Sequence, residues 1–281
     1  MTPTAFLWNS TTVLALMAAA AVIEVFLPLF ERGEASQGRA KANFPFMAVT
    51  LGWNWALTSL TAIVALRLRP VAILPKLPFA VQVLFTVAVL DFMFGYLSHV
   101  LLHKIPLLWR FHRVHHSDPF VDVTTLLRQH PIEGLWRFLF TTIPAWMLGL
   151  PAAGIVVYRL ISRVNGILEH ANIRLWRPLD RIGSLVWCTP NMHKVHHSNN
   201  PVETDSNYGN IFSVYDRVFG TFTNTDRALQ VVYGLKETDE AEVRSFTGLL
   251  GRPFARGRKT LQPRQEVGLG QFLLESPQPP K

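Results

Sequence analysis

All ten histidines of this 281-residue chain lie between His99 and His197, and the remaining two-thirds of the sequence has none. His99 and His103 form an H-x3-H pair. On a helix an i, i+4 pair projects from one face with its side chains adjacent, which is chelating spacing. His112, His115 and His116 follow in FHRVHHSDP, and His193, His196 and His197 in MHKVHHSNNP; i, i+3 and i+4 share a face if each segment is helical. These two H-[RK]-V-H-H-S elements echo each other. They are too short for a repeat protein and well suited to two similar halves of one metal cluster. Eight imidazoles exceed what one tetrahedral zinc takes, whereas they can divide between two metals with positions left open for oxygen or water. A dinuclear site is the natural inference. Imidazole suits Zn, Cu, Fe and Ni, so donor chemistry alone leaves the metal open. His130 in RQHPIEG and His170 in LEHANI stand apart, and each is either a further ligand or a hydrogen-bonded structural histidine.

The elements that must hold these histidines are apolar. Hydrophobic residues make up 49% of the chain against 16% charged, with mean hydropathy +0.21. That balance is too apolar for an ordinary soluble enzyme and is compatible with several membrane spans. It excludes disordered, collagen-like and disulfide-scaffold classes. The single cysteine, Cys188, cannot form an intrachain disulfide, so a metal must be held by histidine or carboxylate. Residues 4–30, with Glu24 their only charge, predict a first span, 44–66 a second and 77–97 a third, each long enough for a hydrocarbon core of roughly 30 Å. Residues 134–149 and 152–168 read as a hairpin entering the membrane, its second arm made amphipathic by Arg159 and Arg163. His99 and His103 then sit at the mouth of a span, where ionisable groups are costly and usually functional. Lys104, Arg110, Arg113 and Arg128 after the third span, and Arg174, Arg177, Arg181 and Lys194 after the hairpin, place both histidine-bearing segments on the cytoplasmic side. A net charge of +8 in so apolar a chain points to that face rather than to nucleic acid. The expected architecture is all-α, a multi-span membrane bundle with a cytoplasmic, histidine-rich helical cap. Its divisions are 1–84 for the amino-terminal spans, 85–235 for the catalytic domain and 236–281 for a cytoplasmic, partly disordered segment. The tail from Arg252 carries no periodicity.

The histidine pattern resembles the fatty acid hydroxylase and sterol desaturase superfamily of integral membrane, non-haem di-iron enzymes. The phrases that carry the likeness are DFMFGYLSHVLLHKIPLLWRFHRVHHSDP and CTPNMHKVHHSNNPVETDSNYGNIFSVYDRVFGTF, within about residues 85–235. The family's H-x3-H, H-x2-HH and distant H-x2-HH are met at all eight positions. The resemblance implies two iron ions that activate dioxygen, and a lipid hydroxylated or desaturated at an unactivated C–H bond. It also implies further histidines between the second and third clusters. His170 is the better match for one, although Gly166 stands four residues before it, where some members carry a histidine. No Rossmann, flavin or cysteine-rich iron–sulfur pattern is present in the sequence, so electrons are expected from an external donor of ferredoxin or cytochrome b5 type. The implied location is a bacterial inner membrane or endoplasmic reticulum.

Asp91 lies eight residues before His99, two helical turns away on a similar face. It is expected either to accept a ring N–H and fix a ligand tautomer, or to pair with an arginine. Asp118, Glu169, Asn207 and Asp216 are weaker candidates whose alternative is capping or turn chemistry. Trp53, Trp55, Trp109 and Trp136 are expected at membrane interfaces, and Cys188 as a small buried hydrophobe. Two other functions compete with the oxygenase. One is a zinc-dependent hydrolase of a lipid ester or amide, needing no O2; the other is a metal transporter or sensor, against which the clusters follow the spans rather than running through them.

Overall fold

The computed structural model describes residues 3–67, 74, 77–236 and 239–255. Among them the chain is helical, and pairing between extended segments is confined to two isolated bridges, Pro28 with Ile173 and Trp187 with Phe212. The long elements are α1 (Pro3–Phe26), α2 (Ala40–Arg67), α3 (Phe79–Lys104), α4 (Pro106–His116), α5 (Pro131–Leu148) and α6 (Ala152–His170). Short helices follow: α7 (Arg177–Gly183), α8 (Pro190–His196), α9 (Pro201–Thr204), α10 (Val214–Val218), α11 (Glu240–Val243) and α12 (Phe246–Gly251). Proline stands in the first turn of α4, α5, α7, α8 and α9. There its missing N–H costs nothing and its fixed φ presets the helix. In α4 and α8 those prolines therefore set where the helix begins, and so which face its histidines take.

Among the described residues one helix, α3 with 26 residues, is long and apolar enough to cross a membrane by length and composition, and Thr11–Phe26 is a shorter apolar helix. The second expected span, 44–66, falls within α2, and the third, 77–97, overlaps α3 from Phe79 onward. The hairpin arms are longer than the apolar runs suggest, 18 and 19 residues. His130 caps α5 before Pro131, and helical hydrogen bonding runs on through Glu169 to His170. Gly149, with φ 63°, closes α5 in the left-handed region that glycine adopts without strain, and Pro151 precedes α6.

The amino-terminal helices are tied to the histidine-bearing part through buried polar groups. The Glu24 carboxylate accepts N–H groups from Val123 and Asn172 and pairs with Arg32. Arg39 donates to both Asp118 and Asp122, Asn43 donates to Asp118, and Arg128 donates to the Asn43 side chain and to the Val114 carbonyl. Around these groups, Val13, Met17 and Ala20 of α1 pack on Ile167 of α6, and Phe46 of α2 packs with Val114 and Leu249. The carboxy-terminal boundary differs from expectation at Arg252. Arg252 pairs with Glu242 at 2.9 Å and is buried, and the Phe254 ring lies against Phe111 and His130. Residues 256–281 of the expected disordered tail lie outside the described residues.

Candidate metal centre

Three helix ends meet at the centre. His99 and His103 occupy the last turns of α3; His112, His115 and His116 the last two turns of α4; His193 and His196 the last turn of α8, with His197 as its C-cap. Immediately before His99, residues Asp91–Leu97 widen into a π-helix, a local rewinding that recurs at functional sites. A Cβ at Gly95 would come within 2.8 Å of an Asp91 carboxylate oxygen and 2.9 Å of the Asn210 Cβ, so glycine lets the loop at Asn210 press against this widened turn.

The imidazoles fall into two groups. His99, His103, His112, His116 and His196 form one; His115, His170, His193 and His197 form the other; within each group the donor atoms lie within 4.8 Å of one another, and every residue is buried. The two echoing helix ends cross over. From α4 the i, i+4 pair His112 and His116 goes to the five-membered group and His115 to the four-membered one. From α8 the i, i+4 pair His193 and His197 goes to the four-membered group and His196 to the five-membered one. The structure brings His170 into the second group and leaves His130 out of both. The His130 Nδ1 accepts the Ile132 N–H as the cap of α5, and its Nε2 faces the Leu250 carbonyl, so both ring nitrogens have structural partners.

Ring orientation can be read from the acceptors. His99 Nδ1 lies 2.8 Å from the Tyr208 carbonyl, His196 Nδ1 2.8 Å from that of Ser206, and His170 Nδ1 2.7 Å from that of Gly166. A carbonyl only accepts, so each Nδ1 carries the proton and each Nε2 turns a lone pair toward its group. His196 Nε2 has no hydrogen-bond partner despite full burial. The Nε2 atoms of His99 and His112 are 3.1 Å apart and those of His112 and His116 3.2 Å. In the other group, His115 and His170, His170 and His193, and His193 and His197 are each 3.1 Å apart at Nε2. Nitrogens bonded about 2.1 Å from a common ion stand about 3.0 to 3.4 Å apart for right-angle to tetrahedral arrangements, so these are separations a shared ion bridges. Burial also lowers the imidazoles outside α3 and α6, His115 to about 3 and His112, His116, His193, His196 and His197 well below the ordinary value. Their neutral form is the one that ligates. The residues present thus fit metal ions in donor type, tautomer and spacing.

Carboxylates back the ligands, though Asp91 does not. Glu133 stands 3.0 Å from His112 Nδ1 and also accepts from Arg137. Asp205 lies 3.5 Å from His103 Nδ1, and Glu169 4.0 Å from His193 Nδ1. The Asp91 oxygens accept the backbone N–H groups of Ile211 and Phe212 and the Asn210 amide, leaving the ring of His99 to the Tyr208 carbonyl. Asp91 is therefore one step further out than expected: it holds the loop that supplies the acceptors. Asp216 accepts from Tyr208 and Gly209 N–H and from Thr221 in the same loop, and Asn207, at φ 53°, donates to the carbonyls of Met192 and Thr223. Lys194, fully buried and lowered to about 7 by burial, donates to the Glu169 carbonyl. Trp109, expected at an interface, packs against His103 and His116, and the Cys188 thiol donates to the Gly209 carbonyl. Glu133 and Asp205 escaped the sequence reading. The signal for Glu133 was its own helix phase, with His130, Glu133 and Arg137 at i, i+3 and i+7.

Residues 83–221 match the family model described as fatty acid hydroxylase, and both histidine groups lie inside that stretch. The chain carries a fatty acid hydroxylase domain and belongs to that superfamily. The chain is similar to an ornithine lipid hydroxylase of Rhizobium tropici, 33% identical over 186 residues that make up 66% of this chain and 54% of that protein. It is also similar to an alkylglycerol monooxygenase of Caenorhabditis elegans, 33% identical over 147 residues, 52% of this chain and 28% of that protein. A cholesterol 25-hydroxylase-like protein of Danio rerio is 26% identical over 162 residues, 54% of this chain and 61% of that one. The chain spans about half the length of the first of these relatives and under a third of the second. No solved structure matches this chain.

Proposed function

We propose that this protein is a membrane-bound di-iron oxygenase that hydroxylates a lipid using O2 and electrons from an external ferredoxin or cytochrome b5 type donor. The observation that carries the reading is the pair of buried imidazole groups, five and four, with facing Nε2 atoms. Five imidazoles in one group exceed the four ligands of a tetrahedral zinc site, which favours iron over the zinc hydrolase. The names of the relatives, hydroxylases and monooxygenases acting on lipids, favour oxygen insertion over desaturation.

When bound, an iron pair supplies dioxygen activation and hydrogen removal from an unactivated C–H bond. The chain's own groups do the rest. His99, His103, His112, His116 and His196 would hold one ion and His115, His170, His193 and His197 the other. The carbonyls of Gly166, Ser206 and Tyr208 keep three of those rings in one tautomer and orientation. Glu133 stands 3.0 Å from His112 Nδ1, where its carboxylate charge would raise that ligand's donor strength. Burial of every imidazole excludes bulk water from the centre. A cavity lined by His99, His115, His170 and His193 provides a place for substrate beside them.

The same reading includes a multi-span helical bundle, formed by α1, α2, α3 and the α5–α6 hairpin, with the histidine-bearing helix ends on the cytoplasmic side. Its support is the apolar α3 and the basic residues that follow α3 and α6. Residues 1–84, 85–235 and 236–281 remain the proposed divisions. The deciding experiment is metal analysis of detergent-purified protein together with O2 uptake under a chemical or ferredoxin-type reductant. Two irons per chain with reductant-dependent uptake and a hydroxylated lipid are expected. Zinc persisting after iron-replete expression, with O2-independent turnover, would overturn the reading.

A further inference from the structure

The cavity beside the histidines has a volume of about 190 Å3, and its wall is not what an acyl chain alone requires. Arg159 and Arg163 line it from α6, at i, i+4 on one face, and Arg137 lines it from α5. The Arg137 guanidinium is steadied at 2.9 Å by Glu133, whose other oxygen faces His112. Glu169 is the one carboxylate among the lining residues. Arg159 and Arg163 are the only charged residues in a largely apolar stretch of α6, YRLISRVNGIL. Cations in such a setting are costly and are kept where a ligand or pathway uses them. The planar guanidinium fork matches carboxylate and phosphate oxygens. Arg163 precedes His170 by seven residues, a helical rise of about 10 Å.

Resting on the oxygenase reading, we infer that this cavity receives the acidic headgroup of its lipid, a carboxylate or phosphate held by Arg159, Arg163 and Arg137. The carbon offered to the histidine centre then lies on the headgroup or among the first several carbons beside it, and not far along an acyl chain.

The test is equilibrium binding to the full-length, as-purified protein in phosphatidylcholine nanodiscs, under argon and without reductant, so that nothing turns over. The tritiated probes are N-palmitoylglycine for the carboxylate, palmitoyl lysophosphatidic acid for the phosphate and monopalmitoylglycerol as the neutral headgroup. At least one acidic lipid is expected to bind tenfold or more tightly than the neutral one, and which of them does so identifies the acid. Equal binding of all three overturns the inference whatever any variant does. In the double variant R159Q/R163Q the acidic preference is expected to fall at least tenfold, with neutral binding changed less than twofold; a preserved preference overturns it as well. R159K/R163K, which keeps charge and loses the fork, is expected to fall between. Selective binding without an O2-dependent product would overturn the oxygenase reading and leave this inference standing. O2-dependent hydroxylation with no headgroup preference would do the reverse.

Discussion

The five-histidine and four-histidine groups draw on the same two helical phrases, yet their surroundings differ. Around the first, His99 and His196 are fixed by the carbonyls of Tyr208 and Ser206, while His112 faces Glu133 and His103 faces Asp205. Around the second, His170 is fixed by its own helix through Gly166, and His193 faces Glu169 only at 4.0 Å. Three of the four imidazoles in the second group line the cavity, against His99 alone in the first. One group is buttressed from three sides; the other gives part of its perimeter to substrate space. The difference teaches that a sequence echo can build two half-sites of unequal duty, because the loop at 205–212 and Glu133 serve only one of them.

The hardest blow to that comparison is His112→Ala. It is expected to remove one ion per chain by elemental analysis, with activity down at least about a hundredfold, since outer-shell changes alone cost 10- to 100-fold. Loss of both ions together would show that the groups are not separable. Asp118→Asn leaves Arg39 buried with its pairing weakened, and about 3 to 5 kcal/mol of stability is expected to go, measured by thermal unfolding. Burial by itself would raise the Asp118 carboxyl, but the Arg39 and Arg128 guanidiniums outweigh it and hold the group well below the ordinary carboxylate range. Because the folded value is depressed, this stabilisation is full at neutral pH and is lost as pH falls below about 4; in D118N that acid-side loss is expected to shrink. Glu133→Gln is expected to weaken metal binding about 10- to 100-fold in a chelator competition, and Glu169→Gln by clearly less, which sharpens the contrast between the buttressed and open groups. Equal effects would erase it. The smallest effect is expected from Asp91→Asn, about 1 to 3 kcal/mol of stability with metal stoichiometry unchanged, because its oxygens serve backbone N–H groups and not a ligand ring.

Much of the fold was legible because it is local. Apolar runs mark α1 through α3, and Pro106, Pro131 and Pro190 mark where histidine-bearing or adjoining helices begin. His130 and His170 looked alike in isolation, and packing separated them. His130 precedes a proline at a helix start, where its ring is drawn into capping Ile132, whereas His170 ends α6 facing α4 and α8. Asp91 read from helical phase and its place in a span as a partner for a ligand ring or for an arginine, and the π-turn at 91–97 together with the pressed-in loop at Asn210 gave its oxygens to the backbone and the Asn210 amide instead.

By itself the sequence determined the donors: the eight histidines, their spacing and the helix ends that carry them, because i, i+3 and i+4 adjacency is a property of a single helix. It also determined that the frame is helical and apolar. Only the tertiary structure decided that His115 and His196 cross to the opposite groups, that His170 completes the second one, that three backbone carbonyls orient the rings, and that Glu133 and Asp205 stand beside two others. Those choices depend on how α3, α4, α6 and α8 meet, and contacts between residues tens of positions apart are set by packing rather than by any local period.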